Sequence, residues 1–274
     1  MLKVENLSIH FEDSGKKQEA VRGISFQMES REILGIVGES GSGKTMTALT
    51  IAGLTKEHEV LESGSIFLDN SDLLKLTQVE MRKIQGKDIS MIFQEPMTAL
   101  NPTMKIGKQV EEALILHTKL SRAERRKKVI RALEDAELDQ PEILYGKYPH
   151  ELSGGMRQRV MIAAAIVCRP KLLIADEPTT ALDAGTQESI LKLLKKLNRR
   201  YNMGILFISH NLRVVNELCS RVLVMKDGVI LEQGITREIF ENPRTEYTKE
   251  LIAAIPERTR STAFYELLRA EAGE

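Results

Sequence analysis

The sequence predicts an α/β fold: a mainly parallel sheet with an antiparallel β subdomain at the N-terminal end and an inserted α-helical subdomain. Three observations carry this prediction. Short apolar runs alternate with helical segments, which is typical of parallel strands joined by helices. Residues 3–11 and 21–28 alternate apolar and polar side chains, as half-buried antiparallel strands do. From about residue 101 to residue 167, the apolar residues recur at helical spacing.

The first half of the chain is expected to contain five strands: three at residues 3–11, 21–28 and 33–37, and a further pair at residues 65–69 and 89–93. A polar turn at residues 12–19 is expected to separate the first two strands. Residues 33–37 form a continuous apolar run, so this strand is expected to be buried on both faces. Glycines after it favour a tight turn into a helix at residues 43–54. Thr77 and Glu80 have the spacing of a capping box, which predicts a short helix.

The second half is expected to begin with helices and then to return to strand and helix units. Ser121 and Glu124 form another capping-box pattern at a helix start. Asp227 and Gly228 predict the turn of a β-hairpin. The expected strands are residues 172–175, 205–208, 222–225 and 229–231. The expected helices are residues 125–138, 184–200 and 211–218, with a last helix between Pro243 and Pro256.

The composition is that of a globular protein without a global charge. The 274 residues include 39 Lys and Arg and 39 Asp and Glu, so the formal net charge is zero. Nucleic-acid partners are disfavoured, because proteins that bind them usually carry a net positive charge. With 7 Phe, 5 Tyr and no Trp, the chain has few aromatic platforms for stacking bases or sugars. Cys168 and Cys219 are too few for a disulfide framework or a four-ligand metal site, and they fit a reducing compartment.

The sequence gives no indication of a membrane-crossing segment. Lys3 and Glu5 interrupt the apolar residues at the start, so no secretory signal peptide is expected. The longest apolar run, residues 160–168, is too short to cross a bilayer. The expectation is a soluble or peripheral protein.

A phosphate-binding loop is predicted directly after the third strand. The segment matches the pattern GxxxxGK[ST], and its residues are Gly38, Glu39, Ser40, Gly41, Ser42, Gly43, Lys44 and Thr45. Glycines let backbone N–H groups converge on a phosphate at the positive end of the following helix. Lys44 is expected to reach the β- and γ-phosphates of a nucleotide, and Thr45 to place its hydroxyl on Mg²⁺. The loop alone leaves kinases, G proteins and motors open.

Two adjacent carboxylates end the apolar strand at residues 172–175. Successive side chains of a strand point to opposite faces, so Asp176 and Glu177 can divide two tasks. Asp176 is expected to hold Mg²⁺ through its water shell, and Glu177 to polarise the water that attacks the γ-phosphate. A base beside the metal-binding acid favours an ATPase over a kinase.

Residues 148–159 read Tyr-Pro-His-Glu-Leu-Ser-Gly-Gly-Met-Arg-Gln-Arg. With this segment the chain resembles the nucleotide-binding subunits of ATP-binding cassette (ABC) transporters. The motifs that carry the resemblance are the phosphate loop, Gln94, residues 148–159, residues 176–177, residues 181–183 and His210. The resemblance implies the P-loop NTPase fold of ABC ATPases. It also implies an ABC ATPase domain at residues 1–256, a helical insert at about 101–167 and a short C-terminal tail at 257–274.

The resemblance implies a role for each remaining candidate residue, with ATP and Mg²⁺ as cofactors. Ser153, Gly154 and Gly155 would begin a helix and bind the ATP held by a second, partner cassette. Asp183 would link the two sites across the dimer.

Three further residues receive roles from the same resemblance. Gln94 would bind Mg²⁺ and sense the attacking water, and His210 would contact the γ-phosphate. Phe11 is the best-placed aromatic residue to stack on adenine, although its strand could bury it instead.

Further segments resemble bacterial importers of dipeptides, oligopeptides and nickel. They are residues 93–102, 106–109, 148–159, 175–183 and 240–248. The resemblance implies a second, homologous ATPase subunit in a heterodimer, two transmembrane permease subunits and an extracytoplasmic substrate-binding protein. It places the chain at the cytoplasmic face of the cell membrane, with residues 94–107 receiving a short permease helix. No cysteine follows Cys219, so no iron–sulfur site is expected; peptides are favoured over nickel as cargo.

Two other classes of ABC ATPase fit the sequence less well. A soluble ABC-type ATPase acting on DNA or ribosomes is the alternative. DNA-repair relatives carry a long coiled coil between the phosphate loop and the segment that begins at residue 152, and translation-factor relatives carry a second cassette; neither feature is expected here. A non-catalytic regulatory cassette would be expected to lack a catalytic residue, and none is missing. The basic runs at residues 125–128 and 195–200 are interpreted as solvated helix faces, because acids are interleaved with them.

Overall fold

The computed structural model describes residues 1–13, 16–55, 60–94, 99–180 and 182–255, with all side chains except those of residues 11–13, 16, 17 and 60–62. The strands are β1 (Leu2–Asp13), β2 (Lys16–Met28), β3 (Ile33–Val37), β4 (Val60–Leu68), β5 (Ser71–Asp72), β6 (Ile89–Ile92), β7 (Leu172–Asp176), β8 (Gly204–Ile208), β9 (Arg221–Lys226) and β10 (Val229–Ile235). The helices are α1 (Lys44–Ala52), α2 (Gln78–Ile84), α3 (Ile106–His117), α4 (Arg122–Asp135), α5 (Pro141–Leu144), α6 (Gly154–Ile166), α7 (Ala184–Tyr201), α8 (Leu212–Leu218), α9 (Thr236–Glu241) and α10 (Glu246–Ala253).

Two sheets organise the described part of the chain. The larger sheet has the order β10-β9-β3-β8-β7-β6, and only β10 runs antiparallel to its neighbour. The smaller sheet has the order β2-β1-β4-β5 and is antiparallel throughout. The predicted α/β fold, with its mainly parallel sheet and N-terminal antiparallel subdomain, is confirmed.

The central strands explain why apolar runs predicted them. Every residue of β3, β7 and β8 is buried, as expected for strands covered on both faces. Because these strands are parallel and adjacent, their carboxyl ends meet at one edge of the sheet. The phosphate loop follows β3, Glu177 follows β7 and His210 lies just after β8, so the fold brings these residues to the same edge.

Helices α3 to α6 lie between β6 and β7 in the chain, where the helical periodicity predicted them. The capping box at the start of α4 is present: Ser121 Oγ accepts from the N–H of Glu124, and the Glu124 carboxylate accepts from the N–H of Ser121 at 2.7 Å. Glu111 of α3 is fully buried and accepts hydrogen bonds from Arg125 Nε at 2.9 Å and Tyr145 Oη at 3.2 Å. This carboxylate therefore ties α3 to α4 and to the end of α5.

Two expectations about strands were wrong in detail. The polar turn at residues 12–19 is replaced in part by a longer hairpin, since β1 runs to Asp13 and β2 begins at Lys16. Polar side chains do not prevent this, because the ladder is made by backbone groups. The strands expected at residues 65–69 and 89–93 lie in different sheets, as parts of β4 and β6.

None of the helices in the described ranges is long and apolar enough to cross a membrane. The predicted tail at residues 257–274 lies outside the described residues.

Candidate functional site

The phosphate loop packs against the backbone of neighbouring strands, which explains its glycines. A Cβ atom on Gly38 would lie 2.1 Å from the carbonyl oxygen of Met225 in β9. A Cβ atom on Gly43 would lie 2.5 Å from the carbonyl oxygen of Ala20 in β2. Both glycines also have positive φ, at 153° and 98°, which side chains disfavour. The loop therefore depends on glycine at its two ends.

The outer and inner halves of the loop differ in exposure. Glu39, Ser40 and Gly41 are exposed, and among the described residues no atom beyond the chain neighbours of Gly41 lies within 4 Å of a Cβ built on it. Ser42, Gly43 and Lys44 are buried at the start of α1. The exposed stretch leaves the mouth of the loop accessible to a ligand.

Lys44 bends back over its own loop. Its Nζ atom donates to the carbonyl oxygens of Gly38 at 2.8 Å and Glu39 at 2.6 Å, and it lies 3.3 Å from Ser42 Oγ. Burial lowers the pKa of Lys44, while the negative charges of Glu177, Asp176 and Glu39 oppose that shift. The ammonium group thus lies at the centre of the loop, where phosphate oxygens can replace the carbonyl acceptors.

Asp176 and Thr45 face each other beside the loop. Thr45 Oγ1 donates to Asp176 Oδ1 at 3.4 Å, a long contact. Burial raises the pKa of Asp176 and the charge of Glu177 raises it further, against the lowering effects of Thr45 and Lys44. A buried carboxylate with so little positive compensation fits a site for a divalent cation, and a hydroxyl and a carboxylate are ligands that Mg²⁺ accepts.

Glu177 is the centre of a hydrogen-bonded group. Its Oε2 atom accepts from Gln94 Nε2 at 3.2 Å and from Thr180 Oγ1 at 2.9 Å. Its Oε1 atom lies 2.9 Å from His210 Nδ1. Sequence reasoning predicted Gln94, Glu177 and His210, and the structure brings these three together. No role was predicted for Thr180. What the sequence shows there is a hydroxyl side chain three residues after Glu177.

The backbone of Glu177 is held in an unusual conformation. Its φ angle is 47°, in the left-handed region that residues other than glycine rarely adopt. Its N–H group donates to the carbonyl oxygen of Ile208 at 2.9 Å, which ties it to the end of β8. Backbone strain of this kind concentrates at functional sites.

A second group of predicted residues lies at the starts of α6 and α7. Ser153 caps α6 by accepting from the N–H of Met156 at 3.3 Å. Asp183 caps α7 by accepting from the N–H of Thr186 at 2.9 Å. A Cβ atom on Gly155 would approach Thr186 Cγ2 to 2.9 Å, so the two helix starts touch at Gly155.

Gly154 and Phe11 are two further residues that the sequence predicted for the site. A Cβ built on Gly154 would meet no atom of the rest of the described structure within 4 Å, apart from its chain neighbours and its own helix backbone, so Gly154 offers an open helix start. Phe11 belongs to β1 and its backbone pairs with those of Gln18 and Val60, but its side chain lies outside the described part of the structure.

A phosphate loop after one parallel strand and an Asp–Glu pair after another define a nucleoside triphosphatase of the P-loop class. A family model described as ABC transporter matches residues 21–180. The chain therefore belongs to the ABC transporter family and is an ATP-binding subunit that hydrolyses ATP.

Two curated relatives come from Bacillus subtilis (strain 168). The chain is 46% identical to the oligopeptide transport ATP-binding protein OppD, over 93% of this chain and 72% of that protein. It is 45% identical to the dipeptide transport ATP-binding protein DppD, over 93% of this chain and 77% of that protein. The glutathione import ATP-binding protein GsiA of Escherichia coli (strain K12) is 44% identical, over 94% of this chain and 42% of GsiA.

Solved structures show the same fold. The dimeric ATP-binding cassette MJ0796, in a post-hydrolysis state bound to ADP and phosphate, is similar with a TM-score of 0.77 and 31% identity, over 86% of this chain and 99% of that one. The cassette cbiO1 from Clostridium perfringens, part of the cbiONQ transporter complex, has a TM-score of 0.75 and 29% identity, over 94% of this chain and 97% of that one.

Proposed function

We propose that this subunit energises the import of dipeptides and oligopeptides across the cell membrane, working at its cytoplasmic face. The observation that carries the proposal is the similarity, over 93% of the chain, to ATP-binding proteins named for oligopeptide and dipeptide transport. The three curated relatives described above are named for oligopeptide transport, dipeptide transport and glutathione import, which favours peptide over nickel as cargo.

Within this function, the phosphate loop binds the triphosphate of ATP. When ATP binds, Lys44 donates to phosphate oxygens instead of the carbonyl oxygens of Gly38 and Glu39. The position of its ammonium group, within hydrogen-bonding distance of both carbonyl oxygens of the loop, supports this role. Backbone N–H groups of the loop at the start of α1, the positive end of that helix, also bind the phosphates. Binding is therefore local and needs no net basic charge.

We assign the Mg²⁺ ion to Thr45, Asp176 and Gln94. When bound, the ion neutralises charge on the β- and γ-phosphates. The buried carboxylate of Asp176, whose pKa burial raises, supports this assignment. Gln94 contacts Glu177 in the structure, so its amide joins the metal side of the site to the catalytic side.

Glu177 acts as the general base. Its carboxylate accepts a proton from water as the water oxygen attacks the γ-phosphorus atom and the bond to the leaving ADP oxygen breaks. Gln94, Thr180 and His210 hold the carboxylate in one orientation, so little reorganisation is needed when the water arrives. Besides orienting Glu177, His210 also contacts the γ-phosphate of ATP.

A complete site also requires a second, homologous ATPase subunit in a heterodimer. Ser153, Gly154 and Gly155 bind the ATP held by that subunit, and the open helix start at Gly154 supports this. Asp183, in contact with Thr186 beside Gly155, communicates between the two sites. The adenine-stacking role stays with Phe11.

Two transmembrane permease subunits complete the importer, with an extracytoplasmic binding protein acting through them and no nucleic-acid partner. The surface between β6 and α3 supports permease docking, because the large apolar side chains of Phe93 and Met104 are 44% and 37% exposed there. A short permease helix would cover both side chains.

The cargo is tested by uptake in a strain that lacks this chain. We expect the deletion to abolish accumulation of a labelled oligopeptide while nickel uptake stays unchanged, and the wild-type chain to restore peptide accumulation. Loss of nickel uptake with normal peptide accumulation would contradict the peptide assignment.

A further inference from the structure

The phosphate loop is contacted from outside by a residue of α10, the last helix of the described residues. The N–H group of Glu39, the second residue of the loop, donates to the phenol oxygen of Tyr247 at 3.1 Å, although 208 residues separate the two in sequence. The carbonyl group of the same Glu39 accepts from Lys44 Nζ at 2.6 Å. Glu39 is thus held on one side by α10 and on the other by the lysine that is proposed to bind phosphate.

Tyr247 is itself fixed in place. It is 6% exposed, and the ammonium group of Lys226 lies 4.4 Å from the centre of its ring, within the range of a cation–π contact. Lys226 ends β9, and the turn that follows places the N–H of Gly228 3.2 Å from the carbonyl oxygen of Ser42 in the loop. Burial raises the pKa of Tyr247, so its hydroxyl stays neutral at physiological pH.

A buried carboxylate anchors the start of α10. Glu232 of β10 is 7% exposed and accepts from the N–H groups of Arg244 at 2.9 Å and Thr245 at 3.2 Å. Thr245 in turn caps α10 by accepting from the N–H of Thr248 at 3.2 Å. Because Tyr247 lies in the first turn of α10, this anchor fixes the position of its phenol group.

We propose that Tyr247 is a positioning residue for the phosphate loop, and that α10 is therefore part of the ATP-binding apparatus. The inference rests on the proposed role of the loop. Without the hydroxyl, the Glu39 peptide loses its acceptor, and the loop visits conformations in which its amides do not converge on a phosphate. The effect falls on ATP affinity, because Tyr247 contacts Glu39 and Lys226 rather than the group around Glu177.

The test is equilibrium binding of a fluorescent ATP analogue to the full-length chain, with kcat and KM for ATP measured in the assembled importer. We expect Tyr247→Phe to raise Kd and KM about three- to tenfold, the range for loss of one hydrogen bond, and to leave kcat within about twofold. The phenylalanine ring keeps the packing and the contact with Lys226. We therefore expect the Tm of the variant to stay close to that of the wild type, and measuring it checks that the fold is intact.

Tyr201→Phe is the matched control, since Tyr201 ends α7 and its hydroxyl donates to Asp135 at the end of α4. Its Kd should equal that of the wild type. An unchanged Kd in Tyr247→Phe, with or without a lower Tm, would overturn the inference, and so would an equal rise in both variants. Lys44→Ala separates the two proposals: if it binds ATP normally, the role of the loop fails, whereas lost binding beside a normal Tyr247→Phe refutes only the positioning role.

Discussion

Glu177 combines a strained backbone with a carboxylate that three side chains hold. The left-handed φ angle of 47° departs from the extended backbone of β7, which ends at Asp176. Adjacent acids can therefore separate, with Asp176 facing Thr45 and Glu177 facing His210. The two neighbouring acids therefore have different surroundings, which fits the separate tasks proposed for them.

Replacing Thr180 tests how much the orientation of the Glu177 carboxylate contributes to ATP hydrolysis. Its hydroxyl donates to Glu177 Oε2 at 2.9 Å, so Thr180→Ala should leave the carboxylate less well oriented. We expect kcat for ATP hydrolysis to fall about three- to tenfold with an unchanged KM, the range for one hydrogen bond. Thr180→Ser, which keeps the hydroxyl, should restore kcat. A serine variant as slow as the alanine variant would show that the methyl group matters instead.

Single residues could be predicted from the sequence where a local pattern names them. The loop glycines and Lys44 follow from one motif, and Glu177 from its place after an apolar strand. Tyr247 could not be predicted in this way, because the tie to Glu39 depends on a contact between residues 208 positions apart.

Among the helices and strands, features that depend on neighbouring residues could be predicted better than the pairing of distant strands. Both capping boxes are present, at Thr77 with Glu80 and at Ser121 with Glu124. The partition of β4 and β6 between two sheets was not predicted, because apolar alternation identifies a strand and not its neighbour. The order of the strands in the large sheet has the same long-range origin.

The connection between α3, α4 and α5 gives a prediction with a pH dependence. Burial acts to raise the pKa of Glu111, but hydrogen bonds and charge from Lys108 and Arg125 outweigh it, so the pKa is lowered. A carboxyl whose folded pKa is lowered stabilises the fold above its ordinary pKa, and that contribution is lost as the pH falls through the folded value. We expect Glu111→Gln to lower the free energy of unfolding at pH 7 by about 2 kcal/mol.

Urea unfolding of the full chain at several pH values measures this effect. The difference between wild type and Glu111→Gln should shrink in acid, as the wild-type carboxyl becomes protonated. Glu134→Gln is the control, because Glu134 is exposed and pairs with Arg131 at the surface, and we expect a change below about 0.5 kcal/mol. A difference that stays constant with pH would contradict the assignment of the stability to the charge of Glu111.

At the scale of the whole molecule, the parallel sheet is what assembles the site. Gln94 follows β6, Glu177 follows β7, His210 follows β8 and the phosphate loop follows β3, and these strands are consecutive neighbours in the sheet. Four distant parts of the chain therefore meet at one edge. The zero net charge fits this arrangement, because the proposed phosphate site uses local groups and needs no net positive charge of the whole protein.

Glu177 is the residue proposed to drive ATP hydrolysis for peptide import. The direct test is ATP turnover and labelled-peptide uptake in vesicles that contain the complete importer, with Glu177→Gln in this chain and Glu188→Gln, an exposed acid of α7, as the control. We expect Glu177→Gln to bind ATP and to lower hydrolysis at this site and uptake about 10²- to 10⁴-fold, the usual contribution of a positioned base. Near-normal turnover and uptake with Glu177→Gln would contradict the account.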